Sequence, residues 1–291
     1  VYITYSILDF PDLGVDGTFP LGAAVTAVLM TRGVNAWLTL PISLVVGGLA
    51  GLFTGVVHVK LKVRNLLAGI ITMTALFSVN LQIAGSNLNI DRSIDTIFTS
   101  APVMALFGDL SLSGRKLIVS LALVIVVKLL LDAYFHTKSG LLLRAVGDNA
   151  TLVTTLAKDR GTVKILGLVI SNALVAFGGC IVCHETRSFS ATMGTGQLVY
   201  GLAAVIIGVS LMHFYASTRL ARGLRKSRAL RFLGSPQGTT AVVLGSVLYK
   251  LCIQIAMSMG LPTNMMKLIT AALFLLVLVL SGRKGEAIIH A

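Results

Sequence analysis

Apolar residues in this chain neither alternate nor form narrow stripes; they run on. Ala36–Val57, Leu66–Gly85, Leu117–Leu131, Val163–Cys183, Gly196–Met212, Thr240–Gly260 and Leu268–Leu280 are each long enough, or nearly so, to cross a hydrocarbon core of about 30 Å as a helix. Phe19–Met30 is shorter and follows a stretch rich in Asp, Pro and Gly. Val1–Leu8 reads as the tail of a further apolar helix whose front would precede Val1, since the chain does not open on Met. Alternating strands of about ten residues, the signature of a membrane barrel, are absent. The pattern predicts an all-α fold: one polytopic membrane helix bundle over residues 1–291, with 8–9 transmembrane helices and a broken helix near its start.

Charge then orients the bundle. The chain is 55% apolar and 12% charged, against about 25% charged in a soluble domain. Its net charge of +13 is concentrated in Lys60–Arg64, in residues 136–164, in the loop 214–239 and in the tail. If the spans alternate, these four segments share one side. The intervening loops, Thr31–Asn35, Ser86–Gly114, His184–Thr192 and Leu261–Met265, are nearly neutral. This is the positive-inside pattern, so the basic segments are assigned to the cytoplasm and their charge to topology and lipid headgroups, with no nucleic acid as a partner. The expected location is the bacterial cytoplasmic (inner) membrane, multi-pass.

Several positions depart from a plain apolar bundle. In Leu8–Ala24, LDFPDLGVDGTFPLGAA, three carboxylates (Asp9, Asp12, Asp16) accompany Pro11, Gly14 and Gly17. A broken membrane helix is tolerated where it lines a cavity or is buried in protein, and ionisable groups there are candidates for a translocation path; a solvated cytoplasmic turn is the plainer alternative. Gly194 and Gly196, in MGTGQLVYG, permit close backbone approach or a re-entrant turn. Lys250 lies mid-span, where a charge costs about 2.5–3.5 kcal/mol unless it faces the interior or finds a partner. It is expected near the helix break, balanced by one of the aspartates. Lys128 and Asp132, four residues apart, read as a structural pair. Asn80, Gln82 and Asn172 either bond between helices or line a path. Gly47, Gly51 and Gly55 form a small-residue row suited to helix packing. Within Ser86–Gly114, Ala101–Phe107 reads as a short interfacial helix.

Other spellings carry less. Cys180-Ile181-Val182-Cys183-His184 matches the haem-attachment pattern but lies at the end of an apolar helix with no second motif for an axial ligand. No nucleotide-binding GxxxxGK[ST], no HExxH and no GxSxG occurs, so neither ATP hydrolysis nor another catalytic activity is expected of this chain.

The segment 140–161 is different again: it opens with GLLLRAVGDNATLVTTLA (Gly140–Ala157), helix-forming and polar, and sits between two apolar runs. It resembles the cytoplasmic coupling segment of ABC-importer permeases. With LDFPDLGVDGTFPLGAA, NLLAGIITMTALFSVNLQIAG (Asn65–Gly85), Leu141–Gly179, MGTGQLVYGLAAVIIG and LGSVLYKLCIQIAMSMGLPTNMMKLITA, the likeness reaches nearly the whole chain. It is similar to the group holding the branched-chain amino acid and ribose permeases, in a branch of tryptophan/tyrosine-type or uncharacterised importers. The long basic connector, Val209 and Arg160-Gly161 depart from that pattern.

The resemblance implies a transport subunit that moves a small solute, an amino acid or similar. It would form a homodimer on two ATP-binding cassette ATPases, which bind the ATP-Mg, and take solute from an extracytoplasmic binding protein. The chain itself would hold no cofactor. Arg144, Gly147, Asp148, Asn149, Thr151 and Leu152 would contact the ATPase, with Gly147-Asp148-Asn149 capping the start of the docking helix. The alternatives are an ion-coupled secondary transporter using Asp9, Asp12 or Asp16, and a receptor or structural membrane protein.

Overall fold

The computed structural model describes residues 1–148, 160–217, 238–260, 265, 268–272, 274, 275 and 279. Twelve named elements follow in order. A six-residue π-helix, Tyr2–Ile7, precedes α1 (Val15–Thr31), α2 (Ala36–Val59) and α3 (Asn65–Ala84). Then come β1 (Asn87–Asn89), α4 (Ala101–Phe107), α5 (Leu112–Phe135), α6 (Lys138–Asp148), α7 (Arg160–Thr186) and β2 (Ser188–Ser190). The last two, α8 (Gln197–Ser217) and α9 (Gly238–Ser258), complete the described helices above six residues.

Among the described residues five helices are long and apolar enough to span a membrane: α2, α3, α5, α7 and α9. Val15–Thr31 and the Gln197–Met212 part of α8 are shorter apolar stretches. The expected 8–9 passes are therefore not reached here. The run Leu268–Leu280 is described only in part, and within Val1–Leu8 the residues Tyr2–Ile7 form the short π-helix.

The chain packs as two units. In the first, from Ile3 to Gln197, α1 is the centre and lies against α2, α3 and α7. Its Ala23, Ala24, Ala27 and Met30 are fully buried. Small residues set the crossings. A side chain at Gly47 would collide with Asn172 and Ala176, one at Gly51 with Leu168, and one at Gly55 with Ile165. Residue numbers rise along α2 as they fall along α7, so the two helices are antiparallel, joined through the glycine row expected to pack. Gly69 faces Leu13 and Gly14, while Gly17 faces Met73 and Leu76, so α1 and α3 run the same way.

Helix ends follow local chemistry. Asn35 opens α2 by accepting from Trp37 N–H at 3.0 Å, and Ser111 opens α5 by accepting from Gly114 N–H at 3.3 Å. Leu117, Leu121, Ile125, Leu129 and Leu130 of α5 are exposed, the surface a lipid-facing helix presents. Beyond α3 and α7 the chain makes a feature the all-α reading lacked. β1 and β2 pair antiparallel, Asn87 with Ser190 and Asn89 with Ser188. Arg187 Nη1 donates to the carbonyls of Asp91 and Ile94 beside them. The ladder ties the loop after α3 to the loop after α7, so both helices end at one face.

In the second unit, from Leu198 on, α8 and α9 pack antiparallel, with Gly208 against Ala241 and Gly245 against Ala204. Tyr249 is fully buried there, its ring edge-on to Tyr200 at 5.1 Å.

Candidate functional site

The helix break is built by residues 8–14. Asp9 takes the left-handed region at φ 49°, which no β-branched residue adopts cheaply, and Pro11 follows. Asp12 then folds back on the chain, its Oδ1 accepting from Gly14 N–H at 2.8 Å, and α1 starts. Its other oxygen accepts from Asn172 Nδ2 at 2.8 Å, across to α7. Asn172 Oδ1 accepts from Thr18 Oγ1 at 2.8 Å, and Thr18 also donates to the Gly14 carbonyl at 3.0 Å. Asp12, Thr18 and Asn172 have no exposed surface. Asn172 lies 12 residues into α7, a rise of about 18 Å, so this network sits deep in the helix rather than at its end. A carboxylate at that depth is tolerable because both oxygens are bonded.

Two threonines complete the lining. Thr54 of α2 donates to Thr72 of α3 at 2.9 Å, and both hydroxyl carriers border Gly14. A Cβ on Gly14 would stand 2.8 Å from Asp12 Oδ1, so the residue must be small. Thr18, Thr54 and Thr72 were not among the sequence candidates. Threonine within an apolar run satisfies its own hydroxyl on the preceding turn, as all three do, and its spelling does not separate that habit from a shared network.

A second group forms one turn further on. Asp16, in the first turn of α1, accepts from Gly196 N–H at 2.9 Å through Oδ2. Gly196 holds φ 89°, a conformation glycine adopts freely. Pro20 has no N–H to donate to the Asp16 carbonyl, and Gly194 lies against that carbonyl and the Pro20 ring, where any side chain would collide. Gly194 thus makes the close backbone approach the sequence allowed for, whereas Gly196 has open space where a Cβ would stand and supplies the left-handed turn. Asn80 Nδ2 donates to the Gly17 carbonyl at 3.1 Å, while its Oδ1, also buried, has no partner among the described residues. Asp16, Pro20, Met73, Phe77, Asn80 and Thr195 line a pocket of about 230 Å³.

The structure therefore gathers Asp12 with Asn172, and Asp16 with Asn80, Gly194 and Gly196. It does not gather the rest. Asp9 is exposed. Lys250, expected inside and balanced by an aspartate, is exposed on α9, with its ammonium 5.2 Å from the centre of the Tyr200 ring. Aromatic contact and exposure, not a carboxylate, are what the described residues offer it. Lys128 and Asp132 do pair, at 2.7 Å. Cys180 and His184 of the haem-like spelling are buried structural groups: Thr39 Oγ1 lies 2.8 Å from His184 Nε2 and 3.6 Å from Cys180 Sγ.

In the presumed coupling stretch, α6 is amphipathic. Gly140, Leu143 and Val146 are buried at three-residue spacing, while Leu141, Arg144 and Gly147 are exposed. Leu143 packs on Gly167 of α7, and Gly147 abuts the Ile7 carbonyl at the helix break. Arg144 rests over the Phe135 ring, 4.8 Å from its centre. Gly147 and Asp148 are the last two described residues of α6. Asn149, Thr151 and Leu152 lie outside the described residues, as does most of the basic loop 214–239.

The family model for the branched-chain amino acid transport system permease component matches residues 1–278. The tyrosine transport system permease protein of Clostridioides difficile is 36% identical over 272 residues, covering 93% of this chain and 82% of that protein. The probable branched-chain amino acid transport permease protein LivH of Methanocaldococcus jannaschii is 27% identical over 256 residues, covering 85% and 79%. The ribose import permease protein RbsC of Escherichia coli K12 is 27% identical over 201 residues, covering 68% and 60%. No solved structure matches.

Proposed function

The chain belongs to the branched-chain amino acid transport permease family, and on that premise we propose that it is the membrane subunit of an ATP-driven importer for a small, amino-acid-like solute. It is a transport component of the cytoplasmic membrane and not an enzyme. In the proposed assembly two copies stand on two ATPase subunits, which bind and hydrolyse ATP-Mg. An extracytoplasmic binding protein delivers the solute. The path runs past the helix break, along Asp12 and Asn172 and then Asp16, Asn80, Gly194 and Gly196.

The observation that supports this reading most directly is the placement of α6. One face of this short polar helix is anchored by Leu143 and Val146, while Arg144 and Gly147 remain exposed for a docking partner. The same helix abuts Ile7, immediately before the break that carries Asp12. A push on α6 therefore reaches the polar lining through two contacts, Gly147 to the π-helix and Leu143 to α7. Rigid elements with such direct contact are what a coupling device needs.

The test is Asp148→Lys in the reconstituted complex. The variant is expected to insert normally and to lose either ATPase co-purification or solute-stimulated ATP hydrolysis. Unchanged ATPase retention together with unchanged stimulated turnover would remove α6 from the coupling path.

A further inference from the structure

We infer that α3 pairs with α3 of a second copy of this chain along the line Thr74, Ser78 and Gln82. This rests on the importer reading and gives its pairing a surface. Two exposed helices supply the contrast. Between Leu117 and Leu130 of α5 no exposed residue carries a hydroxyl, an amide or a charge, as a surface against hydrocarbon requires. On α3 the exposed residues Thr74, Ser78 and Gln82, spaced by four, put two hydroxyls and an amide on one line. Leu66, Ile70 and Phe77 flank that line on one side, Val79 and Ile83 on the other, all exposed. The Thr74 hydroxyl donates to the Ile70 carbonyl at 2.8 Å, whereas Ser78 and Gln82 make no side-chain hydrogen bond to the described residues. In a bilayer, hydroxyl and amide groups of this kind bond to another helix, and short side chains let the two backbones approach.

The occupant is a second copy because the line is uncharged and complementary to itself. Copies that present α6 to the same side of the membrane are related by a two-fold axis along the membrane normal, so each residue at the seam meets its own counterpart at one depth. Gln82 carries both donors and acceptors, and so does the Ser78 hydroxyl, so each can bond to its counterpart. The exposed face of α9 is also polar, with Lys250, Gln254 and Ser258. There the same symmetry would set two Lys250 ammonium groups against each other, which disfavours it as a self-contact. Thr74 and Phe77, exposed at the edge of the α3 line, are also walls of the pocket of about 230 Å³ between α1 and α3. A second α3 on this line therefore stands over the open side of that pocket.

The experiment places single cysteines in the full chain in native membranes, after Cys252→Ala has removed the exposed thiol; Cys180 and Cys183 are buried. Under copper–phenanthroline oxidation, Ser78→Cys and Gln82→Cys should give at least about fivefold more linked dimer than Leu121→Cys on α5 or Gln254→Cys on α9, because a disulfide needs Cβ atoms within about 4.5 Å. A second measurement uses no thiols. Gln82→Lys and Gln82→Glu each set like charges across the seam and should each lower co-purification of two differently tagged copies. Co-expression of one variant with the other should restore it, a rescue that a misfolded chain would not show. Linking at Leu121 equal to that at Ser78, stronger linking at Gln254, or no recovery by the mixed pair overturns the proposal. ATPase retention is scored on the same membranes. Linking at Gln254 with the ATPase retained sinks this seam and leaves the importer reading standing; linking at Ser78 with no ATPase retained does the opposite.

Discussion

Replacing Asn172 by Leu keeps the side-chain volume and removes the amide that links α7 to the helix break. Asn172 donates to Asp12 Oδ2 at 2.8 Å and accepts from Thr18 at 2.8 Å, all three side chains being fully buried. A hydrogen bond to a charged group contributes about 1.5–3 kcal/mol, and an interhelical bond between neutral groups in a membrane protein averages about 0.6 kcal/mol. The Thr18 loss is softened because its hydroxyl still donates to the Gly14 carbonyl. Asn172→Leu should therefore destabilise the fold by about 2–4 kcal/mol, most of it through Asp12. In a double-mutant cycle with Asp12→Ala, the coupling energy should fall at about 1.5–3 kcal/mol. The chain's single tryptophan supplies the assay. Trp37 Nε1 donates to Ser100 Oγ at 3.1 Å, so its emission reports whether α2 remains packed on the segment that opens α4 during unfolding in mixed micelles. Thr74→Ala, at an exposed position, is the control. A coupling energy below about 0.5 kcal/mol, or a loss no larger than the control's, would show that the Asp12–Asn172 bond does not hold the break.

Three further outcomes are expected. Gly51→Val should lower thermal stability by about 1–3 kcal/mol, because its Cβ meets the backbone of Leu168, whereas Gly48→Ala faces Val169 and Ala173 at 3.5–4.0 Å and should be nearly neutral; equal melting shifts would refute the α2–α7 seam. In a cysteine-less background, Lys62→Cys should react with an impermeant maleimide from the cytoplasmic side alone and Asn89→Cys from the opposite side alone; labelling of both from one side breaks the orientation scheme. Near the ladder, the Ser93 backbone N–H donates to Asp91 Oδ1 at 2.8 Å, and this bond, followed by the Ser93 hydroxyl and the Arg187 charge, holds the Asp91 carboxyl below its ordinary value. Because the folded-state value is the depressed one, the turn's added stability is present above about pH 4 and fades as pH falls through the folded-state value. Hydrogen exchange at Ser93, corrected for its intrinsic rate, should lose protection on acidification in the wild type and show no such step in Asp91→Asn.

Much of the architecture was legible along the chain, because a bilayer penalises polar groups so heavily that spans announce themselves as unbroken apolar runs. The runs at Ala36–Val57 and Leu66–Gly85 became α2 and α3 nearly unchanged. The short helix Ala101–Phe107 appeared at the bounds its composition suggested. The glycine row at 47, 51 and 55 lies on the face that meets α7, since its spacing of four residues places it on one side of a helix whatever the partner. The break around Pro11 and Gly14 was equally readable, because those residues disfavour helix on their own account. What local chemistry left open was the partner of each polar side chain. Asp9, Asp12 and Asp16 look alike in one dimension, yet one is exposed, one is anchored to Asn172 from 160 positions away, and one faces Gly196 and Asn80. Lys250 had a plausible carboxylate in sequence terms and an aromatic ring in the fold. Those pairings depend on which helix faces cross and at what height. That is decided when small residues such as Gly14, Gly22, Gly69 and Gly179 let backbones close to contact, and no periodicity records it.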